Sequence, residues 1–75
     1  MKELDLHGVK HEDAKNEVIR LIEANWNTGT TIKIITGHSP QMKALVKSVL
    51  GEYELEYEIG GLFGMNPGIM TAELP

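Results

Sequence analysis

The sequence predicts an α/β fold, a two-layer sandwich of order βαβαββ with two helices on one face of a four-stranded mixed sheet. Three observations carry that expectation. A short alternating run at the start gives way to residues at helical spacing and then to a β-branched run, the pattern of a strand, a crossover helix and a parallel second strand. Ser39-Pro40 opens a second helical pattern that reaches Gly51. Two strand-like segments follow, split by a glycine-rich stretch.

Taken in order, Lys2 to His7 alternates, with Leu4 and Leu6 on one side and Asp5 and His7 on the other. Gly8 frees the backbone where the strand must turn. From Glu12 to Trp26 the period changes to that of a helix: Ala14, Val18, Leu21 and Ile22 form a stripe that Ile19 widens. Glu12 and Asp13 suit the positive end of the helix dipole, Thr28-Gly29 supplies a stop, and Trp26 is expected in the core. Thr31 to Thr36 is β-branched and continuously apolar at its centre, which fits an interior strand parallel to the first and joined to it by a right-handed crossover. His7 and Thr36 then both lie at carboxyl ends of strands, the rim where open α/β sheets bind ligands.

Ser39 reads as an N-cap and Pro40 as the first helical residue, after which Met42, Leu45, Val46, Val49 and Leu50 keep one face apolar until Gly51. Tyr53, Leu55, Tyr57 and Ile59 alternate with Glu52, Glu54, Glu56 and Glu58, so a half-buried strand with one acidic face is expected. Gly60-Gly61 breaks it. Leu62 to Pro67 forms a loop with apolar tips, and Ile69 to Leu74 is the last strand.

Seventy-five residues suit a single domain over positions 1–75. So thin a core is often supplemented by a disulfide, a metal or a partner chain. The chain has no cysteine, which excludes the first, fits a reducing compartment and leaves a homodimer as one way to enlarge the core. No apolar run approaches the roughly 18 residues of a membrane helix, so a cytoplasmic location and no membrane partner are expected. The net charge of -4 argues against wrapping nucleic acid through a general positive field, and leaves room for a local site.

Asp5 and His7 are the first candidates for chemistry. A carboxylate near an imidazole can orient it, raise its basicity or share a divalent metal with it, and strand neighbours at i and i+2 lie about 7 Å apart, close enough to converge on one phosphate. The bland alternative is two solvated strand residues. The turn Thr36-Gly37-His38-Ser39 is the second candidate, because amides at the start of a helix suit an anion; an ordinary tight turn with a serine cap is its bland counterpart. Lys10 and Lys43 flank the expected site as phosphate contacts, and Phe63 can stack on an unpaired base or pack beneath its loop. His11 reads as an exposed loop residue, since a metal pair with His7 would need a continuous helix through Gly8.

Leu4-Asp5-Leu6-His7-Gly8, the helical stretch after it, the strand ending in Ile34-Ile35-Thr36-Gly37, and two final strands around a glycine loop together resemble the small MutS-related, or Smr, domain. That family carries Leu-Asp-Leu-His-Gly near its start and His-Gly-x-Gly or Thr-Gly-x-Gly after its second strand. The resemblance spans nearly the whole chain and implies a layout similar to the C-terminal domain of translation initiation factor three. It also implies DNA or RNA as partner and weak DNA-nicking or RNA-cleaving activity, with Asp5 and His7 as catalytic residues and a divalent ion such as magnesium or manganese as a candidate cofactor. No complete set of metal ligands is legible. Many Smr domains have histidine where Thr36 stands and glycine where Ser39 stands; threonine is no general base near neutral pH, so binding is the safer expectation. Two other readings stay open: an interaction module that binds a protein partner or RNA through the Phe63 loop or the acidic strand, and a small-anion binder, which the missing phosphate-loop lysine pattern disfavours.

Overall fold

The computed structural model describes residues 1–60 and 66–75. Strand β1 (Lys2–Asp5) leads into helix α1 (His11–Ala24), strand β2 (Thr31–Ile35), helix α2 (Pro40–Glu52) and two final strands, β3 (Tyr57–Gly60) and β4 (Asn66–Glu73). The order is the expected βαβαββ, and the sheet is mixed, with spatial order β1-β2-β4-β3. β1 runs parallel to β2 with Asp5 opposite Ile35, and β4 is antiparallel to both β2 and β3.

Alternation along the strands sets the layers. Ile32 and Ile34 of β2 face Ala72 and Met70 of β4, and all four are buried, whereas Lys33 and Thr71 between them belong to the opposite side. Ala14, Val18 and Ile22 of α1 and Met42, Val46, Val49 and Leu50 of α2 join these residues and Leu6 in one core. Both helices therefore cover the same face. The other face carries Glu3, Lys33, Thr71 and Glu58 in a cross-strand row, where Lys33 reaches Glu3 at 3.7 Å. So exposed an ion pair contributes no more than about 1 kcal/mol. Leu50, fully buried, is a firmer attachment for α2, and truncating it to alanine costs about 2–5 kcal/mol.

Several boundaries differ from the sequence expectation. β1 stops at Asp5, leaving His7 in a turn. α1 ends at Ala24 because the Asn25 side chain donates to the Leu21 carbonyl at 2.8 Å and closes the last turn; Gly29, with φ +70°, lies beyond that stop. Trp26 is not core. It is 38 % exposed and lies against the Tyr53 ring at 5.6 Å between centroids. α2 runs through Gly51 to Glu52, and Glu54 adopts a left-handed φ of 56°, so the expected strand over Tyr53 to Ile59 is reduced to Tyr57–Gly60. The four alternating glutamates do not share a strand face: Glu52 closes a helix and only Glu58 lies in β3.

Tyr53 instead turns back toward α1, its hydroxyl donating to the Glu23 carboxylate at 2.8 Å. That bond, helped by desolvation and by the charges of Glu23 and Glu52, raises the phenol above its ordinary value of 10.0. β4 begins earlier than expected, at Asn66, so Pro67 is part of a strand rather than of a loop; the ladder to β2 has ended by then, at Ile35 opposite Ile69, so no bond to β2 is lost with its missing N–H. Among the described residues, no helix is long and apolar enough to cross a membrane.

Candidate functional site

The parallel pairing brings the ends of β1 and β2 level, and the Leu6 amide extends the ladder by donating to the Ile35 carbonyl at 2.8 Å. Beyond that point each strand turns. Leu6 to Val9 closes with the Val9 amide on the Leu6 carbonyl at 3.0 Å, and Gly8 has φ +80°, the value a type II turn requires at its third residue. Gly37 turns the second chain with φ +68°. The two turns meet: a methyl group built on Gly37 would lie 3.7 Å from His7 Cδ2. An early imidazole and a later glycine turn thus share one rim, as the sequence anticipates.

The partners of the neighbouring groups decide what that rim can do. Asp5 Oδ1 accepts from the His7 main-chain N–H at 2.9 Å, so the carboxylate stabilises the turn rather than bonding to the ring. Thr36 is only 3 % exposed, and its hydroxyl donates to the carbonyls of Gly37 at 3.0 Å and Gly68 at 3.2 Å. The amides of Thr36 and Gly37 both donate to the Gly68 carbonyl, at 2.8 and 3.1 Å. These groups tie the turn to β4 and do not face an incoming anion, which corrects the expectation that this turn offers all its amides.

What remains open lies one step further on. His38 is exposed, and among the described residues neither its amide nor that of Ser39 has an acceptor. Ser39 caps α2 as expected, its Oγ accepting from the Met42 amide at 3.2 Å and donating to Gln41 Oε1 at 3.3 Å. No acidic residue occupies the first turn of α2, so nothing there offsets the positive end of its dipole. Lys43, half-buried, lies in that first turn with its amide on the Ser39 carbonyl, and among the described residues its ammonium makes no ion pair.

No family model, curated protein or solved structure matches this chain. The site therefore stands on its geometry.

Lys10 occupies the N-cap position of α1, exposed and without a side-chain cap bond. With Gly8 it borders a shallow groove along α1 that also includes Asp13, Glu17 and Arg20. Arg20 escaped the sequence reading although the signal was present, since positions 10, 13, 17 and 20 share a helical face. Two cations and two acids balance there, so the groove carries no net attraction for phosphate. His11, expected in a loop, is the first residue of α1 and is exposed. Phe63 lies outside the described residues. No three His, Asp or Glu side chains among the described residues are grouped to hold a metal, and Asp5 is already committed to an amide. Among the described residues no donor set fits a resident divalent ion.

Proposed function

We propose that the chain is a nucleic-acid-binding domain of the Smr type that holds phosphates on the rim where β1 and β2 end. The observation that carries this reading is the position of the His7 ring, 3.7 Å from where a methyl group on Gly37 would lie. Behind it stand the amides of His38 and Ser39 and the Lys43 ammonium, which have no partner among the described residues, and the start of α2 without an acidic residue. A phosphate at this rim meets the His7 imidazole on one side and, on the other, the amides of the two residues that lead into α2.

The same geometry favours binding over rapid cleavage. The Thr36 hydroxyl and the Thr36 and Gly37 amides are occupied by carbonyls, so they do not steady the negative charge that builds on a phosphate under attack. His7, exposed beside Gly37, is placed to move a proton to or from an oxygen of the scissile bond, with no described partner orienting its ring. Slow nicking of DNA or cleavage of RNA is the limit of such an arrangement.

The test is fluorescence anisotropy with labelled single- and double-stranded DNA and RNA across a salt series, on the parent, His7→Ala and Lys43→Ala. Affinity should fall steeply with salt, by about 0.7–0.9 in log–log slope per phosphate engaged. His7→Ala should weaken binding about tenfold. No binding at low salt, or binding indifferent to both substitutions, would overturn the reading. Product analysis with and without a chelator reports whether any strand is cut.

A further inference from the structure

Strand β3 forms one edge of the sheet, with β4 as its neighbour and no other described strand along its outer side. Such an edge presents unpaired N–H and C=O groups at the spacing of an incoming strand. Two side chains add to the invitation. Tyr57 and Ile59 pair with Ala72 and Met70 and so belong to the helix-covered face, yet they are 38 % and 40 % exposed where Ala72 is 4 % and Met70 is fully buried. The apolar layer is unfinished at this edge.

The opposite face at the same edge is acidic. Glu58 lies in β3, Glu56 precedes it, and both border a groove shared with Glu73 and Thr71. Every Lys and Arg of the chain lies among the described residues, and the one ion pair is Lys33 with Glu3, so these three carboxylates have no cation of their own. Lys33 is separated from Glu58 by Thr71 in the cross-strand row.

We propose that the outer edge of β3 takes up an extended basic segment of a partner protein as an added strand. Apolar side chains of that segment lie beside Tyr57 and Ile59, and its alternate Lys or Arg side chains face Glu56, Glu58 and Glu73. The charges decide the occupant. Antiparallel pairing of β3 with β3 of a second copy sets glutamate near glutamate, and pairing it with the outer edge of β1 brings it against Glu3 and Asp5, again acid on acid. Nucleic acid is repelled by the same carboxylates. This surface is separate from the His7 rim, and its occupation does not depend on the proposed nucleic-acid binding.

The test uses the full chain and a labelled nine-residue peptide alternating valine and lysine, a second with glutamate for each lysine, and a third with a central proline. Anisotropy should show saturable binding of the lysine peptide, weakened by about tenfold or more in the glutamate and proline versions. Glu58→Lys should reduce affinity for the lysine peptide, with circular dichroism confirming an intact fold and Glu58→Gln giving an intermediate loss. Amide hydrogen exchange should slow in Tyr57 to Gly60 when the lysine peptide is bound. Any of four results overturns the proposal: no saturable binding, equal affinity for lysine and glutamate peptides, protection appearing away from β3, or concentration-dependent self-association that protects β3 without peptide.

Discussion

Replacing Thr36 by valine separates a structural role from a binding role in the turn that follows β2. The hydroxyl is buried and shares one proton between the carbonyls of Gly37 and Gly68. Valine keeps the branched shape and the strand preference, so the change removes little beyond that hydrogen bond. Gly68 O retains the amides of Thr36 and Gly37, and Gly37 is partly exposed, so water can serve its carbonyl. The cost should be that of one ordinary bond, about 0.5–1.5 kcal/mol. For a chain of this size it corresponds to a fall in melting temperature of roughly 4–8 °C per kcal/mol. Thermal and urea unfolding followed by circular dichroism measure the loss, and anisotropy with the same oligonucleotides should show affinity within about twofold of the parent, since a group without a phosphate contact contributes little to binding. Unchanged stability together with lost binding would refute the reasoning, because it would mean that the hydroxyl serves the ligand and not the turn.

Four other outcomes are expected. Gly8→Ala should destabilise by about 1–2 kcal/mol in urea denaturation, because φ is +80° and no neighbour lies near enough to add a clash. Gly51→Ala should do the reverse, stabilising by up to about 1 kcal/mol, since Gly51 sits inside α2 in open space; a loss of stability would show that its backbone is not helical. Ser39→Ala should cost about 1 kcal/mol through the lost cap on Met42, with Ser39→Asp restoring most of it in the same unfolding assay. Tyr53→Phe bears on pH: the folded phenol titrates above 10.0, so its bond to Glu23 stabilises fully below that value and is lost as pH rises through the folded value. The parent should therefore exceed the phenylalanine variant in urea midpoint at pH 8, and the gap should close in strong alkali.

The elements that the sequence foretells best are those with one dominant signal. Ser39-Pro40 marks the start of α2 because a cap and a residue without an amide hydrogen both fit only there, and Ile32 and Ile34 give β2 its place between two neighbours. The segment from Gly51 to Leu55 misleads because its alternation arises by chance: a helix finishes, Glu54 takes a left-handed turn and Tyr53 swings back to Trp26 and Glu23, contacts made across some thirty residues. At the site, the meeting of His7 with Gly37 follows from parallel pairing and was legible. The burial of Thr36 was also legible in principle, since it continues the buried series Ile32, Ile34. That Gly68 would occupy two amides of the turn was not, because a carbonyl on β4 leaves no trace in the residues it ties.

The most direct test of phosphate binding at the β1–β2 rim is a nuclear magnetic resonance titration of the isotopically labelled chain with a short oligonucleotide at low salt. The largest shift changes are expected at the His7 ring and at the amides of Gly37, His38 and Ser39, with little change along β3. Shifts concentrated anywhere else, or none at saturating oligonucleotide, would contradict it.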